Sequence, residues 1–155
     1  MTPSEKIHFK NKLKQFGLSL IGQRVAAAKE AIEQVQQSAN QEEKSSAGDK
    51  YETGRAMGHL QKDMLARQSA EQTKELASLH AISVDTLYPA PAAGALVNCQ
   101  GMAFFIAAGL GKQVVDGQTV YFLSPQAPLA RALENKKAGD LLAFNSMSLV
   151  ILEIY

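Results

Sequence analysis

The first half of the chain carries a narrow apolar stripe at helical spacing. Residues 4–44 contain no proline, and apolar residues recur there at alternating steps of three and four: Leu18, Ile21, Val25, Ala28, Ile32, Val35 and Ala39. Such a heptad pattern is typical of a long helix that packs along one seam against another helix. We therefore expect a helix of about 40 residues, roughly 60 Å long.

A second helix is predicted from Lys50 to about Ile82, after a turn at residues 45–48 that lays it back antiparallel against the first. Gly54 and Gly58 permit close backbone approach near this turn. The apolar residues expected to face Ile32 and Val35 are Met57, Leu60, Met64 and Leu65. Polar residues between 67 and 75 weaken the pattern, so the middle of the hairpin is expected to be softer than its ends.

The remaining chain has the pattern of a small sheet domain. Prolines and alanines between residues 83 and 94 favour an extended linker. Short apolar runs then predict strands at 95–99, 102–108, 119–123, 141–144 and 147–155, with Asp116-Gly117 as a hairpin turn. The last run is apolar on both faces, as in a central strand. One short helix begins at Pro128 and ends at Asn135, which tolerates a left-handed conformation.

The sequence thus predicts an α+β fold in three parts. Residues 1–82 form an antiparallel coiled-coil hairpin, residues 83–94 form a linker, and residues 95–155 form a small antiparallel β-sheet domain with one short helix. At 155 residues and 46% hydrophobic content, the chain is long enough for one full domain or two small ones.

Charge is distributed unevenly along the predicted hairpin, although the net charge is only +1. Four lysines cluster near the start, at Lys6, Lys10, Lys12 and Lys14, while acidic residues predominate at 42–52. The lysines are interpreted either as a solvated helix face or as a surface that meets an acidic partner. The sequence leaves both interpretations open.

Several classes of site are disfavoured by composition. Cys99 is the single cysteine, so no disulfide can form within the chain, and we expect this residue to be a small buried side chain in a reducing, cytoplasmic compartment. His8, His59 and His80 lack the spacing of metal ligands. No apolar run is long enough for a membrane span and the amino terminus lacks the layout of a secretion signal, so no membrane partner is expected.

Asp49 and Glu52 lie three residues apart at the start of the predicted second helix. Two acids at positions i and i+3 of a helix face the same way. This spacing fits a capping pair that accepts hydrogen bonds from exposed backbone N–H groups. Spacing alone does not establish a further role for the pair.

Two motifs resemble those of the bacterial Gre transcript-cleavage factors. The segment 128–140, Pro-Leu-Ala-Arg-Ala-Leu-Glu-Asn-Lys-Lys-Ala-Gly-Asp, is similar to the family's closing motif, with Ala127 in place of serine and Asn135 in place of glycine. The segment 48–52, Gly-Asp-Lys-Tyr-Glu, is similar to the family's Gly-Asp-x-x-Glu between its coiled-coil helices. Residues 53–56 depart from the family pattern by losing an acid and an aromatic residue and gaining Arg55.

This resemblance implies a transcription elongation factor with an FKBP-like carboxy-terminal domain that docks on RNA polymerase. Ala127, Pro128 and Arg131 would be partner-binding residues in that domain. The coiled-coil tip would enter the secondary channel, where Asp49 and Glu52 assist a Mg²⁺ shared with the polymerase in cleaving backtracked RNA at its 3′ end. The chain would then be an accessory factor rather than an enzyme, associated with DNA only through the elongation complex.

Two other functions remain open at this stage. A Gre-like regulator could enter the channel without stimulating cleavage. A structural coiled-coil adaptor could instead dimerise through the stripe from Leu18 to Ala39. We expect a monomer, because a hairpin that satisfies its own seam leaves none to share. Prolyl isomerase activity has only the fold of the family to suggest it, and fold alone does not carry activity.

Overall fold

A computed structural model describes the backbone of residues 1–45 and 48–155, and the side chains of residues 1–41 and 54–155. Two long helices, α1 (Pro3–Ser45) and α2 (Gly48–Ala81), precede a six-stranded sheet. The strands are β1 (Leu96–Cys99), β2 (Met102–Ile106), β3 (Gly111–Val115), β4 (Gln118–Leu123), β5 (Leu141–Phe144) and β6 (Met147–Ile154), with a short helix α3 (Pro128–Leu133) before β5. The predicted α+β class is confirmed.

Helix α1 starts at a local signal that the sequence contains but that was not among the predictions. The Glu5 carboxylate accepts from Thr2 N at 2.7 Å, and the Thr2 hydroxyl accepts from Glu5 N at 3.2 Å. The backbone hydrogen bond from Thr2 lowers the pKa of Glu5. This reciprocal pair is a capping box, and Pro3 at the first helical position needs no hydrogen-bond acceptor.

Contacts divide the chain into two compact units. Unit 1 contains residues 1–18 and 77–155, and unit 2 contains residues 19–76. The predicted division instead places a linker at 83–94. The difference arises because Phe16 of α1 packs on Phe122 of β4, and Lys14 of α1 binds the carbonyls of His80 and Ile82 at the end of α2.

The sheet in unit 1 is mixed rather than purely antiparallel. Its order is β3-β4-β2-β1-β6-β5, and β2 pairs with β4 in parallel while every other neighbouring pair is antiparallel. After β2 the chain passes to the edge, forms β3, and returns through Asp116-Gly117, so β4 lies beside β2 in the same direction. The two turn residues have φ of 51° and 75°, which confirms the predicted turn. The turn joins β3 to β4, whereas the prediction placed it between the strands that correspond to β2 and β4, which pair in parallel. Strand β3 was missed because Lys112 and Gln113 give it a polar pattern.

One face of the sheet packs against α3. Val97, Cys99, Phe104, Ile106, Leu142 and Ile151 form a buried cluster there with Ala130 and Leu133 of the helix. Side chains on alternate positions of a strand share a face, which explains why Phe104 and Ile106 belong to this layer. Cys99 is buried, as predicted, and burial raises the pKa of its thiol.

The other face of the sheet packs against the start of α1. The Phe16 and Phe122 rings have centroids 5.9 Å apart, and Phe105 meets Phe122 edge to face at 5.5 Å. Phe9 and Leu13 are buried on the same part of the helix. The first four turns of α1 therefore complete the second core layer of unit 1.

Unit 2 consists of helical segments that run antiparallel. Lys62 Nζ donates to Gln36 Oε1 at 2.6 Å, and a Cβ built on Gly58 would lie 3.9 Å from Ala39 Cβ. The residue number on α2 falls from 62 to 58 as the residue number on α1 rises from 36 to 39, so the two helices run in opposite directions here. The predicted stripe of α1 faces inward: Ile21, Val25 and Ala28 are buried, and Ile32, Val35 and Ala39 are half-buried.

The predicted inward face of α2 is wrong at Leu60 and Met64, and it is met only in part at Met57, which is mostly exposed but lines a groove with Val35. Met57, Leu60 and Met64 are 65%, 70% and 63% exposed, and only Leu65 is half-buried. The less exposed positions recur at alternating steps of four and three: Gly58, Lys62, Leu65, Ser69, Gln72 and Leu76. Glycine and polar residues occupy most of this seam, so hydrophobicity did not reveal its register.

Candidate functional site

The predicted catalytic pair lies at the start of α2. The backbone of α2 begins at Gly48, so Asp49 and Glu52 belong to its first two turns. Their side chains are outside the described residues, and the choice between a capping pair and metal ligands stays a prediction. Along the sequence, the nearest residues with described side chains are Gln41 before the pair and Arg55 after it.

A groove lies between α1 and α2 in unit 2, lined by residues 31–39 before the acidic pair in sequence and 54–65 after it. Its volume is about 510 Å³. The lining comes from both helices: Ala31, Gln34, Val35, Ser38 and Ala39 of α1, and Gly54, Met57, Gly58, Gln61 and Leu65 of α2. Half of these residues are glycine, alanine or serine, which leave space between the two helices.

The three predicted partner-binding residues lie together at the start of α3. Ala127 is the N-cap residue, with extended φ and ψ of −62° and 146° and no side-chain cap. Pro128 takes the first helical position, where its missing N–H removes no helical hydrogen bond. Both Pro128 and Arg131 are exposed, while Ala130 on the opposite side is buried. This first turn thus offers solvent a proline ring and a guanidinium.

The rest of the closing motif has structural roles. Asn135 has a φ of 65°, as predicted for the residue after the helix. Asp140 Oδ2 accepts from Lys137 N at 2.9 Å, and Gly139 N donates to Ile151 O at 2.7 Å, which ties the loop to β6. These contacts give Asn135, Gly139 and Asp140 a structural role within the chain. Pro128 and Arg131 are exposed and have no such role, so they remain the candidates for binding a partner.

Lys10 is buried and tightly hydrogen-bonded, which the sequence did not predict. It is fully buried, and its Nζ donates to Thr86 O at 2.7 Å and Gly94 O at 3.1 Å. Nζ also lies 4.7 Å from the centroid of the Tyr88 ring. Burial lowers the pKa of Lys10 to about 8, while the negative charge of Asp85 acts in the opposite direction. An ammonium group thus anchors the segment that the sequence predicts as a linker.

The other three lysines of the basic cluster are also engaged within unit 1. Lys14 Nζ donates to His80 O at 2.9 Å and Ile82 O at 2.7 Å. Lys12 pairs with Asp116 at 2.8 Å, and Lys6 pairs with Glu153. Each of these lysines thus contacts a loop or strand of unit 1, a role that neither interpretation of the cluster included, and the surface for an acidic partner stays a prediction.

A signal for this role exists in the sequence, although it is weak. Lys6, Lys10 and Lys14 recur at intervals of four, on a helix face that adjoins Phe9 and Leu13. Long lysine stems often line apolar surface while the charged group reaches solvent. Here the charged group reaches backbone carbonyls instead, and their positions depend on tertiary structure.

The described residues contain no further group that assigns a metal or membrane role. Among the residues whose side chains are described, no three histidine, cysteine or acidic side chains lie close enough together to hold a metal. None of the helices, over that same part of the chain, is both long and apolar enough to cross a membrane. The sequence matches no protein-family model and no curated protein.

Proposed function

We propose that this protein is an RNA polymerase-binding transcription elongation factor of the Gre type that promotes cleavage of backtracked RNA. The observation that carries the proposal is the antiparallel arrangement of α1 and α2, with Gln36 against Lys62 and Ala39 against Gly58. The chain between these pairs includes Asp49 and Glu52. Both acids therefore lie in the first turns of α2, close to the connection between two long helices, as the resemblance to Gre factors implies.

The length of the helices supports the same proposal. Within unit 2, residues 19–45 of α1 and 48–76 of α2 each correspond to about 40 Å of helix. Small side chains at Ala31, Ala39, Gly54 and Gly58 let the two helices approach closely near the connection. A long helical pair of small cross-section suits insertion into a channel.

The proposed chemistry is shared with the polymerase. Mg²⁺ retains most of its water ligands and takes only one or two carboxylates from a protein, which Asp49 and Glu52 could supply. Bound beside the polymerase's own metal, such an ion would stabilise the attacking or leaving oxygen in phosphodiester hydrolysis. The acids would help hold this ion and its water near the RNA 3′ end, and the chain itself would be an accessory factor.

Docking through unit 1 is the second part of the proposal. Pro128 and Arg131 are exposed on the first turn of α3, beside Ala127, while Ala130 and Leu133 fix the helix to the buried cluster. Arginine is enriched at protein interfaces, where its planar group forms paired hydrogen bonds with carboxylates. We assign no partner contact to Lys6, Lys10, Lys12 or Lys14, because each already has a partner within unit 1.

The direct test is a transcript-cleavage assay on stalled elongation complexes. We expect the wild-type chain to stimulate cleavage, Asp49→Ala and Glu52→Ala to reduce it at least about tenfold, and both variants to remain bound. Glu33→Ala, an exposed acid on α1, is the matched control and should retain full stimulation. Stimulation that survives both tip substitutions would remove these residues from the chemistry.

A non-cleaving regulator is the alternative within the same proposal. The loss of an acid and an aromatic residue at 53–56, relative to the family pattern, favours it. In that case the wild-type chain binds polymerase and changes elongation without stimulating cleavage. Binding should weaken in Arg131→Ala and remain in Arg24→Ala, since both arginines are exposed but only Arg131 belongs to the proposed docking surface. A wild-type chain that does not bind polymerase contradicts both versions.

A further inference from the structure

Strand β5 leaves one edge of the sheet open beside an exposed apolar surface. β5 is the last strand in the sheet order and pairs with β6. Leu141 is directly opposite Val150 in this pair, and the two side chains are 54% and 41% exposed. Leu152, farther along β6, is 55% exposed. Strand β6 is thus interior, as predicted, yet one of its faces remains uncovered here.

The turn between β5 and β6 determines which backbone groups of β5 are open. Asn145 and Ser146 have φ of 46° and 68°, the signature of a two-residue turn in which Phe144 and Met147 form the hydrogen-bonded pair. Because the pattern alternates, the N–H and C=O groups of Leu141 and Ala143 point away from β6. The hydrogen bond from Ile151 N to Asp140 O, at 2.9 Å, agrees with this alternation, because Asp140 is two residues from Leu142 and also bonds toward β6.

We propose that a second copy of this chain pairs antiparallel with β5, with the two-fold axis at Leu142. Leu141 of each copy then lies opposite Ala143 of the other, and each such pair exchanges two backbone hydrogen bonds. A large side chain meets a small one on the face that also carries Val150. This register keeps equivalent faces of the two sheets on the same side. The proposal goes beyond the transcription function and does not depend on it. It differs from the monomer expected from the hairpin, because the surface used is the sheet edge and not the helical seam.

The charges at the two sheet edges favour β5 over β3. Residues 141–144 include no charged residue and no proline, whereas β3 carries Lys112, and lysine on an edge strand opposes pairing with another chain. In the proposed register Asp140 lies opposite Phe144 of the other copy, so the two Asp140 carboxylates do not face each other. The edge is therefore compatible in charge with its own copy.

The test uses the full chain and measures mass against concentration by light scattering and sedimentation equilibrium. We expect a concentration-dependent rise toward twice the 16.7 kDa mass of one chain. Ala143→Pro removes an outward N–H and no bond to β6, and should weaken association at least about tenfold. Leu141→Lys should abolish it, since an edge lysine opposes pairing. Val114→Pro on β3, whose N–H also points outward, is the control and should associate like the wild type.

Three results would overturn the proposal. The first is a wild-type chain that stays monomeric over the accessible concentration range. The second is association that Ala143→Pro and Leu141→Lys leave unchanged, which would indicate another surface, such as a helix seam. The third is equal loss in Val114→Pro. Circular dichroism of each variant separates lost association from lost folding, and the cleavage assay tests the transcription function separately at dilute concentrations.

Discussion

Units 1 and 2 both include part of α1, but they are stabilised in different ways. In unit 1 the helix contributes Phe9, Leu13 and Lys10, large side chains that are buried among aromatic rings and backbone carbonyls. In unit 2 it faces a seam of glycine and polar residues on α2, such as Gly58 and Gln72. One helix thus meets a fully packed surface at one end and a loosely packed one farther along, and equivalent substitutions should have different effects in the two units.

The largest expected effect is the loss of a core leucine in unit 1. Leu13 is fully buried, so Leu13→Ala removes apolar contacts and leaves a cavity, at a cost of about 3 kcal/mol in the free energy of unfolding. Leu60→Ala in unit 2 is the matched control. That side chain is 70% exposed, and its removal should change stability by less than about 0.5 kcal/mol. Chemical denaturation monitored by circular dichroism measures both, and similar losses would contradict the contrast.

The pH dependence of stability should carry the signature of Lys10. Its pKa is about 8 in the folded chain and 10.5 ordinarily, so between these values the unfolded chain binds more protons. Stability from this group therefore rises with pH across that window, by up to about 3 kcal/mol, because the cost of burying the charge disappears. The neutral amine retains two N–H groups for Thr86 O and Gly94 O.

Other groups titrate nearby, so the measurement is a difference between variants. Burial raises the pKa of the Cys99 thiol, and burial with Glu153 raises that of Tyr155 to about 12; both changes make stability fall as pH rises further. The free energy of unfolding of the wild-type chain minus that of Lys10→Met, measured against pH, isolates the rise between pH 8 and 10.5. Lys12→Met, which removes an exposed ion pair, should leave the slope unchanged. Equal slopes in all three proteins would exclude a depressed pKa at Lys10.

A glycine-to-alanine substitution should change stability in opposite directions in the two units. A Cβ on Gly17 would lie 2.9 Å from Leu79 Cδ2, and Leu79 is fully buried, so Gly17→Ala should destabilise by about 1 kcal/mol despite its better helix propensity. A Cβ on Gly58 has ordinary contact with Ala39 at 3.9 Å. Gly58→Ala should therefore stabilise by about 0.5–1 kcal/mol. Melting temperatures that move in the same direction would refute the difference in packing.

A stabilisation of similar size is expected at a polar residue in the seam of unit 2. Gln72 Oε1 is buried and has no hydrogen-bond partner among the described residues. Replacing it with leucine removes an unsatisfied acceptor and adds apolar contact, so Gln72→Leu should stabilise by about 1 kcal/mol. Gln68→Leu, at an exposed position of the same helix, is the control and should have little effect. Thermal unfolding of the two variants provides the comparison.

The same contrast explains how much the sequence predicted. The sequence predicts features with strong local signals. These are the buried stripe with Ile21 and Val25 on α1, the turn at Asp116-Gly117, and the left-handed Asn135 after α3. The sequence does not predict which face of α2 packs inward, because Gly58, Ser69 and Gln72 give no apolar signal. At the candidate site, the spacing of Asp49 and Glu52 could be read, but the burial of Lys10 could not, because its carbonyl partners are 76 and 84 residues away.

The contact of Lys14 with the end of α2 bears on how that helix terminates. No glycine or proline directly follows Ala81, so the sequence around it has no strong local stop. The ammonium group of another helix instead satisfies the free carbonyls of His80 and Ile82 and complements the negative end of the helix dipole. Lys14→Met should therefore fray the last turn of α2 in the full chain, and amide exchange there should become faster than in the wild type. The boundary of α2 would then belong to the assembled protein rather than to its own stretch of chain.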